Sequence, residues 1–449
     1  MIKFTTYPLP LEMMKSINKN TSRRNFLKTS SLAAASFSIV PSYVMAGSGK
    51  IAPSDKINLG FIGVGRQGTG LGSRFFDLPE TQIVAACDVD QTKLDRFVND
   101  INQKYAEANG KGSYKGLKSY SKYEKLLKRK DIDGVVIATP DHWHAITSID
   151  AMKAGKEVYC EKPLTHTIKE GRAIVNAVEK YEKVFQTGSM QRSSPNFREA
   201  CELVRSGHLG EIKEVKVSVG DPPKPYNLPT EPTPDYIDWE RWIGPSQMVG
   251  YHSDLAPPIP EQFWPKWRDY KEFGGGYTAD WGAHMFDIAQ WALGMDDSGP
   301  VEIIPPQDRS AVRGLKLIYE NGVEMTHEDF GRGNAVRFIG TEGVVDISRQ
   351  FLESLPNGLI RSNMKDDKVS LYKSDNHYQD WFDAIKTRKQ PICHAEIGHR
   401  SASVCHLTNI GYALGRSLRW DPVKEAFKDD AEANKLTGKE YRSPYLLEA

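Results

Sequence analysis

The feature that most constrains the fold is a glycine-rich loop placed directly after an apolar run. The run, residues 56–62, alternates and then becomes fully apolar, which predicts a buried strand. Gly63, Gly65 and Gly68 follow with the spacing G-x-G-x-x-G. In this pattern the first glycine permits a tight turn, the second lets a phosphate approach the backbone, and the third lets a helix pack against the strand. The order strand, glycines, helix predicts a dinucleotide-binding turn.

A second apolar run strengthens this interpretation. Ile83–Cys87 predicts another buried strand, and Asp88 follows it, about twenty residues beyond the last glycine, where an acid can accept both ribose hydroxyls of a dinucleotide. The glycines alone could form a tight turn without a ligand, and the acid favours the dinucleotide. Asp88 would repel a 2′-phosphate and so favours NAD over NADP. Arg66 argues the other way, and we expect both Arg66 and Gln67 to contact the cofactor.

Residues 1–46 resemble an export signal rather than part of the fold. Arg23 and Arg24 precede an uncharged segment of small and apolar residues, Thr29–Val40, and a small-x-small cleavage site ends at Ala46. This arrangement predicts a twin-arginine signal. The alternative is a chance arginine pair before a membrane anchor, but the apolar segment is too short to span a bilayer. We therefore expect a periplasmic or secreted protein that is exported folded, with its cofactor already bound.

The composition sets limits on the partners. A formal net charge of +1 gives no electrostatic reason to expect nucleic acid or an acidic membrane surface as a partner. About 400 residues remain after the signal, enough for two domains with substantial cores. The cysteines are widely spaced and odd in number, which predicts buried small residues rather than a disulfide framework or a metal site: Cys87, Cys160, Cys201, Cys393 and Cys405.

Three further apolar runs, Gly134–Thr139, Glu157–Cys160 and Val184–Thr187, alternate with helical patterns. Alternation of this kind predicts a doubly wound parallel sheet, a Rossmann domain over residues 52–188. Ligands of such sheets bind beyond the carboxyl ends of the strands. The residues that follow the strands are therefore candidates for binding: Thr139, Pro140, His142, His144, Glu161, Lys162 and Gln191 for the cofactor, and Arg192 for the substrate.

The pattern changes after the Rossmann domain. From Ile212 onward, short alternating runs separated by glycine turns predict an α+β domain, residues 189–449, built on an open and mostly antiparallel sheet. Residues of about 220–272 form a long insertion rich in proline and tryptophan. Its rings either stack on a sugar as part of a lid or pin an irregular segment onto the sheet.

A helix is predicted from about Asp280, and Asp280, His284 and Asp287 share one of its faces because they are spaced i, i+4 and i+7. Asp280 could be the N-cap of this helix. Asp280 and His284 could also ligate a metal, but no third ligand has suitable spacing, so we expect no metal. The remaining interpretation is a substrate-facing pair, with Tyr277 and Trp281 as further substrate contacts.

From about residue 56 to the C-terminus the chain resembles the glucose-fructose oxidoreductase, inositol dehydrogenase and rhizopine catabolism protein family (Gfo/Idh/MocA). The motifs that carry the resemblance are the Gly63 loop, Thr139-Pro140 with His142 and His144, Glu161-Lys162-Pro163, and Gly274-Gly275-Gly276 with Asp280 and His284. The resemblance implies that Lys162, Asp280 and His284 line a substrate pocket beside the nicotinamide. It also implies that the C-terminal helices cover the nucleotide domain, and that a homo-oligomer is possible.

Oxidation of a sugar hydroxyl requires a base, because the hydroxyl proton must leave as hydride departs from the same carbon. His284 suits this role by type, since an ordinary histidine titrates near neutral pH. We expect Lys162, next to the positive nicotinamide ring, to be a hydrogen-bond partner or proton relay, and Asp280 to orient His284 or bind a neighbouring hydroxyl.

Three functions remain open for a small-molecule sugar or glycoside ligand. An exported enzyme has no ready supply of free NAD, so the first is an oxidoreductase whose tightly held cofactor is re-oxidised by a second substrate. The second is a redox-neutral glycosidase that oxidises the sugar, eliminates the aglycone and reduces the sugar again, an exception to two-carboxylate hydrolysis. The third is a non-catalytic sugar-binding protein.

Overall fold

Six parallel strands form the first sheet, in the spatial order β3-β2-β1-β4-β5-β6 of a dinucleotide-binding domain. The computed structural model describes residues 55–362 and 369–447, so the predicted export signal lies outside the described residues. The strands are β1 (Ile57–Ile62), β2 (Thr81–Cys87), β3 (Lys118–Tyr120), β4 (Gly134–Ile137), β5 (Glu157–Cys160) and β6 (Phe185–Thr187).

Helices connect these strands, and local signals fix where two of them begin. Asp90 caps the second helix by accepting hydrogen bonds from the backbone amides of Thr92 and Lys93. Thr167 and Glu170 form a capping box at the start of the fifth. The helices are α1 (Arg66–Phe76), α2 (Gln91–Ala108), α3 (Tyr123–Leu127), α4 (Asp141–Lys153) and α5 (Ile168–Tyr181).

Nine strands form the second sheet, in the order β13-β12-β11-β7-β10-β9-β8-β14-β15. Only β7 and β10 pair in parallel among these described strands, so the sheet is mostly antiparallel, and the predicted fold class is confirmed. The strands are β7 (Ile212–Ser218), β8 (Glu302–Ile304), β9 (Leu315–Ile318), β10 (Glu324–His327), β11 (Ala335–Gly340), β12 (Val344–Ile347), β13 (Leu352–Leu355), β14 (Leu418–Asp421) and β15 (Ala426–Phe427).

One face of the second sheet is covered by helices. Val215, Val217 and Phe338 from the sheet form a continuous core with Met285 and Ile288 of α9. Among the described residues, no helix is both long enough and apolar enough to cross a bilayer. The helices that follow the first domain are α6 (Pro195–Arg205), α7 (Trp239–Ile243), α8 (Gly276–Asp280), α9 (Gly282–Leu293), α10 (Leu359–Ser362), α11 (His377–Thr387), α12 (Ala395–Leu414) and α13 (Ala431–Lys435).

Two parts of the C-terminal region return to the first sheet. Trp381 of α11 packs among Phe75 and Tyr159, with ring centroids 5.9 and 5.8 Å away. The insertion docks beyond β2, where the backbone amide of Asp238 donates to the carbonyl of Val89 over 2.9 Å. The insertion contact lies at the carboxyl edge of the parallel sheet, where a ligand of this fold binds, whereas Trp381 packs beside Gly134, the first residue of β4.

Candidate active site

A cavity of about 440 Å³ opens at the carboxyl edge of the parallel sheet. The glycine loop at Gly63 and Gly65 lines one part of its wall, and Lys162, Asp280 and His284 line another. The structure therefore brings the predicted cofactor loop and the predicted catalytic residues, more than 90 residues apart in the chain, to a single cavity.

The three loop glycines have different structural roles. Gly63 has φ +82°, and a Cβ there would lie 2.7 Å from the backbone nitrogen of Thr139. A Cβ on Gly68 would clash with the carbonyl oxygen of Gly63, so Gly68 serves the packing of α1 against the loop. A Cβ on Gly65 would meet no protein atom within 4 Å, although Gly65 lines the cavity. Open space over Gly65, at the start of α1, fits the pyrophosphate of a dinucleotide.

Asp88 lies at the end of β2 with its carboxylate fixed in place. Its Oδ2 accepts a hydrogen bond from the backbone amide of Val64 over 2.7 Å, and its Oδ1 accepts one from that of Asp90 over 2.9 Å. Burial raises the pKa of Asp88, and these two amides oppose that rise. Each oxygen keeps a second acceptor position for a ribose hydroxyl. Arg66, considered above for a 2′-phosphate, lies over the ring of Trp264 at 4.6 Å.

In the part of the cavity wall that is predicted to face the substrate, Asp280 forms ion pairs with Lys162 and Arg268. The Lys162 Nζ donates to Asp280 Oδ1 over 2.7 Å and to the Asp280 carbonyl over 2.9 Å. The Arg268 Nε donates to the same Oδ1 over 3.3 Å. Burial alone would raise the pKa of Asp280, but Lys162 and Arg268 outweigh it and hold the pKa well below its usual range. Asp280 is therefore an anion that positions the lysine ammonium in the cavity wall.

His284 is buried and lines the cavity, and its Nδ1 has no hydrogen-bond partner among the described residues. The expected hydrogen bond from His284 to Asp280 is not formed, because the Asp280 carboxylate is directed at Lys162 and Arg268. Burial lowers the pKa of His284 well below its usual range, and Lys162 and Arg349 add to the effect. The imidazole is thus neutral and can accept a proton from a ligand.

Most other predicted contacts also face the cavity, including Gln67, Thr139, Pro140, Glu161, Tyr277 and Trp281.

Asp280 is not an N-cap, because it is the last residue of α8, and α9 begins at Gly282. Burial raises the pKa of Glu161, and hydrogen bonding to Gln67 and the charge of Lys162 oppose the rise. The Glu161 carboxyl group is therefore ionised less readily than that of Asp280.

His142 and His144, predicted to bind the cofactor, do not line the cavity. Both ring nitrogens of His142 contact backbone carbonyls, those of Phe273 at 3.3 Å and Trp242 at 3.1 Å. The two ring nitrogens of His144 likewise contact the backbone carbonyls of Pro163 and Thr139, both at 2.9 Å. These two histidines therefore stabilise neighbouring loops through contacts between their ring nitrogens and backbone carbonyls. Their neighbours along α4, Asp141 and Trp143, are the residues exposed to the cavity.

Gln191 and Arg192 also lie outside the cavity lining. Arg192 is fully buried and forms ion pairs with Asp287 at 2.8 Å and Asp296 at 2.7 Å. Burial disfavours its charge, but these two carboxylates outweigh burial and raise the pKa of Arg192. Arg192 and Asp287 therefore form a buried ion pair within the second domain, and neither lines the cavity. Gln191 accepts a hydrogen bond from Arg349 Nε over 3.1 Å, so it contacts a residue of the cavity wall without lining the cavity itself.

Sequence reasoning missed several residues of the cavity wall. Arg349 follows directly after β12, so inspection of that strand's end would have found it. Arg74, Arg268 and Tyr378 carry no local sequence signal. Within residues 55–362 and 369–447, no group of three or more histidine, cysteine or acidic side chains is arranged to hold a metal.

The insertion satisfies both interpretations of its aromatic residues. Trp239 and Trp242 stack with their centroids 4.5 Å apart inside a separate buried cluster, so these rings pin the segment. Trp264 and Trp267 line the cavity, and the guanidinium of Arg268 lies over both rings, at 5.2 and 4.2 Å. Trp242 of the stacked pair lines the cavity as well, so both parts of the insertion are placed to contact a ligand.

Two family profiles match the chain. Residues 57–189 match one described as "Oxidoreductase family, NAD-binding Rossmann fold", and residues 221–447 match one described as "Oxidoreductase family, C-terminal alpha/beta domain". The first domain is therefore an NAD-binding Rossmann domain, as the glycine loop and Asp88 predicted.

Relatives and solved structures agree with these profiles. A Shewanella oneidensis protein named alpha-N-acetylgalactosaminidase is 34% identical over 213 residues, which cover 43% of this chain and 44% of the relative. The chain thus aligns with less than half the length of the curated relatives it matches.

Two solved structures share the fold across most of this chain. Aldose-aldose oxidoreductase from Caulobacter crescentus superposes with a TM-score of 0.55 at 20% identity, covering 81% of this chain and 99% of the other. Scyllo-inositol dehydrogenase from Lactobacillus casei, solved with NAD(H) and scyllo-inositol, gives a TM-score of 0.54 at 17% identity with the same coverage. The chain belongs to the Gfo/Idh/MocA oxidoreductase family.

Proposed function

We propose that this protein is an NAD-dependent enzyme that oxidises a hydroxyl group of a sugar or glycoside. The observation that carries the proposal is the placement of Lys162, Asp280 and His284 on the same cavity as the open glycine loop. A purely sugar-binding protein has no need of a buried, neutral histidine whose Nδ1 has no hydrogen-bond partner among the described residues.

Each residue has a role that follows from its contacts. His284 accepts the proton of the reacting hydroxyl, because its imidazole is neutral and its Nδ1 is unpaired among the described residues. Lys162 donates a hydrogen bond to the hydroxyl oxygen from a position fixed by Asp280. Gly65 and Asp88 would hold NAD, which would supply the acceptor for the hydride that leaves the same carbon.

A second candidate function is glycoside cleavage with no net redox change. The name of the Shewanella oneidensis relative, alpha-N-acetylgalactosaminidase, favours it. In such a cycle the sugar would be oxidised, lose its aglycone by elimination once the adjacent C–H is acidified, add water across the resulting double bond, and be reduced again by the hydride it gave up. The same three residues would serve its first step, so the two functions differ in what leaves the site.

The experiment that separates the two functions is an assay of the purified protein with free sugars and aryl glycosides. Bound nucleotide is identified by mass spectrometry, the reduced nicotinamide is followed by absorbance, and the aglycone by its colour. Oxidised sugar together with reduced cofactor identifies a dehydrogenase. Aglycone release without net reduction identifies a glycosidase. Absence of both from a protein that binds NAD would refute the proposed function.

Two further properties belong to this proposal. We propose export through the twin-arginine pathway, supported by Arg23 and Arg24 before the uncharged segment. Replacement of both arginines by lysine should leave the protein in the cytoplasmic fraction. We also propose a homo-oligomer, supported by the family resemblance, and light scattering of the purified protein tests it.

A further inference from the structure

Two arginines at the substrate end of the cavity lack a carboxylate partner. Arg349 and Arg74 both line the cavity, and neither forms an ion pair with any residue in the described part of the chain. The other cations at this end, Lys162 and Arg268, share the Asp280 carboxylate. Arg349 and Arg74 are both solvent-exposed at the cavity wall, so each keeps its charge and can pair with an anion that enters the cavity.

Arg349 is held in a fixed position by groups that do not neutralise it. Its Nε donates to Gln191 Oε1 over 3.1 Å, and its guanidinium lies over the ring of Trp281 at 4.7 Å. Both contacts leave the terminal amino groups of the guanidinium free to donate. The guanidinium of Arg74 lies over the ring of Tyr378 at 5.8 Å. Stacked and tethered arginines of this kind are preorganised for bidentate binding of a carboxylate or a phosphate.

The charges around the two arginines leave this end of the cavity positive. Asp280 is the strong anion, and it faces both Lys162 and Arg268. Glu161 contributes less negative charge, because burial raises its pKa. Burial lowers the pKa of Arg349, the charges of Asp280 and Glu161 oppose that shift, and the neighbouring charge of Arg74 adds to it. An anion between the two guanidinium groups would relieve their repulsion.

We propose that the substrate of this enzyme is an anionic sugar, whose carboxylate, phosphate or sulfate group is bound by Arg349 with Arg74 as the second cation. The inference rests on the proposed function, since it assigns a substrate class to the same cavity. It also explains how His284 could become a better base. Arg349 is one of the charges that depress the pKa of His284, and an anion on Arg349 would offset that effect.

The test compares matched sugars that differ only in the substituent. Methyl glucoside, methyl glucuronide, methyl glucoside 6-phosphate and methyl glucoside 6-sulfate are assayed with the NAD-loaded, full-length protein for oxidation and, by tryptophan fluorescence, for binding. We expect at least one anionic sugar to exceed the neutral one in kcat/KM by about tenfold to a hundredfold. Comparison of the uronide with the phosphate and sulfate identifies which anion the arginines prefer.

Variants connect this preference to the arginine pair. Arg349→Gln should bring kcat/KM for the anionic sugar down to that for the neutral sugar, while the bound NAD content stays close to that of the parent protein. Arg74→Gln should reduce the preference by a smaller factor, and Arg349→Lys should restore part of it. Arg419→Gln, on an exposed strand residue whose side chain is 68% exposed, is the matched control and should retain the preference.

Each result decides the inference. Equal activity on neutral and anionic sugars would overturn it and leave the proposed function intact. Loss of bound NAD from Arg349→Gln would overturn it as well, because the arginine would then be a cofactor contact. Inertness of all the sugars in a protein that contains NAD would refute the proposed function and, with it, this inference.

Discussion

At the scale of single residues, Asp280 is the carboxylate on which the substrate end depends, since it faces both Lys162 and Arg268. Asp280→Asn would leave two poorly exposed cations without their anion. We expect a loss of about 3 kcal/mol in the free energy of unfolding, measured in urea, together with loss of activity. Asp346→Asn, which breaks the pair with Arg337 outside the cavity, is the control and should cost less. Equal stability of parent and Asp280→Asn would contradict this assignment.

Substitution of His284 tests the proposed role of a general base more directly. His284→Ala removes the proposed base, so the rate of sugar oxidation in a single turnover should fall by about 10²- to 10⁴-fold. The NAD content of the purified variant should not change, because His284 lies at the opposite end of the cavity from Gly65. His252→Ala, which alters a surface ion pair with Glu231, provides the control. Near-normal turnover of His284→Ala would rule out His284 as the base.

The predictable residues are those whose role is set by their immediate neighbours in the chain. Gly63 and Asp88 belong to one strand-loop-helix-strand unit, so spacing alone identifies them. Arg192 follows β6 at the predicted edge, yet a short 3₁₀ turn directs it toward Asp287. The sequence could not indicate this, because the partner lies 95 residues away. Arg349 was missed because its position depends on how the second sheet meets the first.

At the scale of elements, the loop before α1 separates cofactor binding from folding. Gly65→Ala places a methyl group in open space within the cavity, so the variant should fold normally and bind NAD at least about tenfold more weakly. Gly68→Ala would press against the Gly63 carbonyl and should lower the melting temperature. Gly112→Ala, also in open space but outside the cavity, is the neutral control. Tight NAD binding by Gly65→Ala would show that no phosphate passes over this glycine.

Among the ion pairs that join the insertion to the first domain, one links Glu261 to Arg96 and another links Arg241 to Glu124. Arg96 of α2 contacts Glu261 over 2.6 and 3.1 Å, and the Glu261 side chain is only 7% exposed. Glu261→Gln should loosen the segment that carries Trp264, so bound NAD should dissociate faster and proteases should cleave the insertion sooner.

A double-mutant cycle with Arg96→Gln checks that prediction. If the pair between Arg96 and Glu261 holds this segment, the second substitution should add little to the first. Fully additive effects on the rate of NAD dissociation would contradict this role.

Elements were predictable where several local signals agree. β5 is apolar, short and flanked by glycine and proline, and its predicted bounds are those observed. β3 is short and polar, so no periodicity marks it, and its place at the sheet edge comes only from pairing with β2. The insertion has little regular structure, and its cluster around Trp242 assembles from residues spread over its whole length.

At the scale of the whole molecule, the cavity exists because two sheets with different cores meet at one edge. The first sheet supplies Lys162 at the end of β5, and the helices on the second supply Asp280 and His284. The ion pairs of Arg192 with Asp287 and Asp296 lie within the second domain and hold the segment after β6 against α9 and the turn that follows it. Catalytic geometry therefore depends on the packing of the entire chain, which local sequence patterns do not report.

This packing also buries histidines, which should make stability depend on pH. Burial lowers the pKa of His142 to about 3 and those of His327, His377 and His406 to about 4. Below about pH 6.5 the unfolded chain binds protons at these positions while the native protein does not. Each such histidine should therefore cost up to about 1.4 kcal/mol of stability per pH unit as the pH falls toward 4. Buried carboxylates with raised pKa values, such as Asp141, act in the opposite direction.

A difference measurement isolates the histidine contribution, because the carboxylates cancel. His406→Gln can still donate a hydrogen bond to the Thr165 carbonyl but has no proton to take up. In urea unfolding, the stability gap between parent and variant should shift against the parent by about 2 to 3 kcal/mol between about pH 7.5 and pH 4.5. Leu407→Ala, from the same buried helix, should show a gap that does not change with pH. A constant gap for His406→Gln as well would mean that His406 binds its proton equally in the folded and unfolded states.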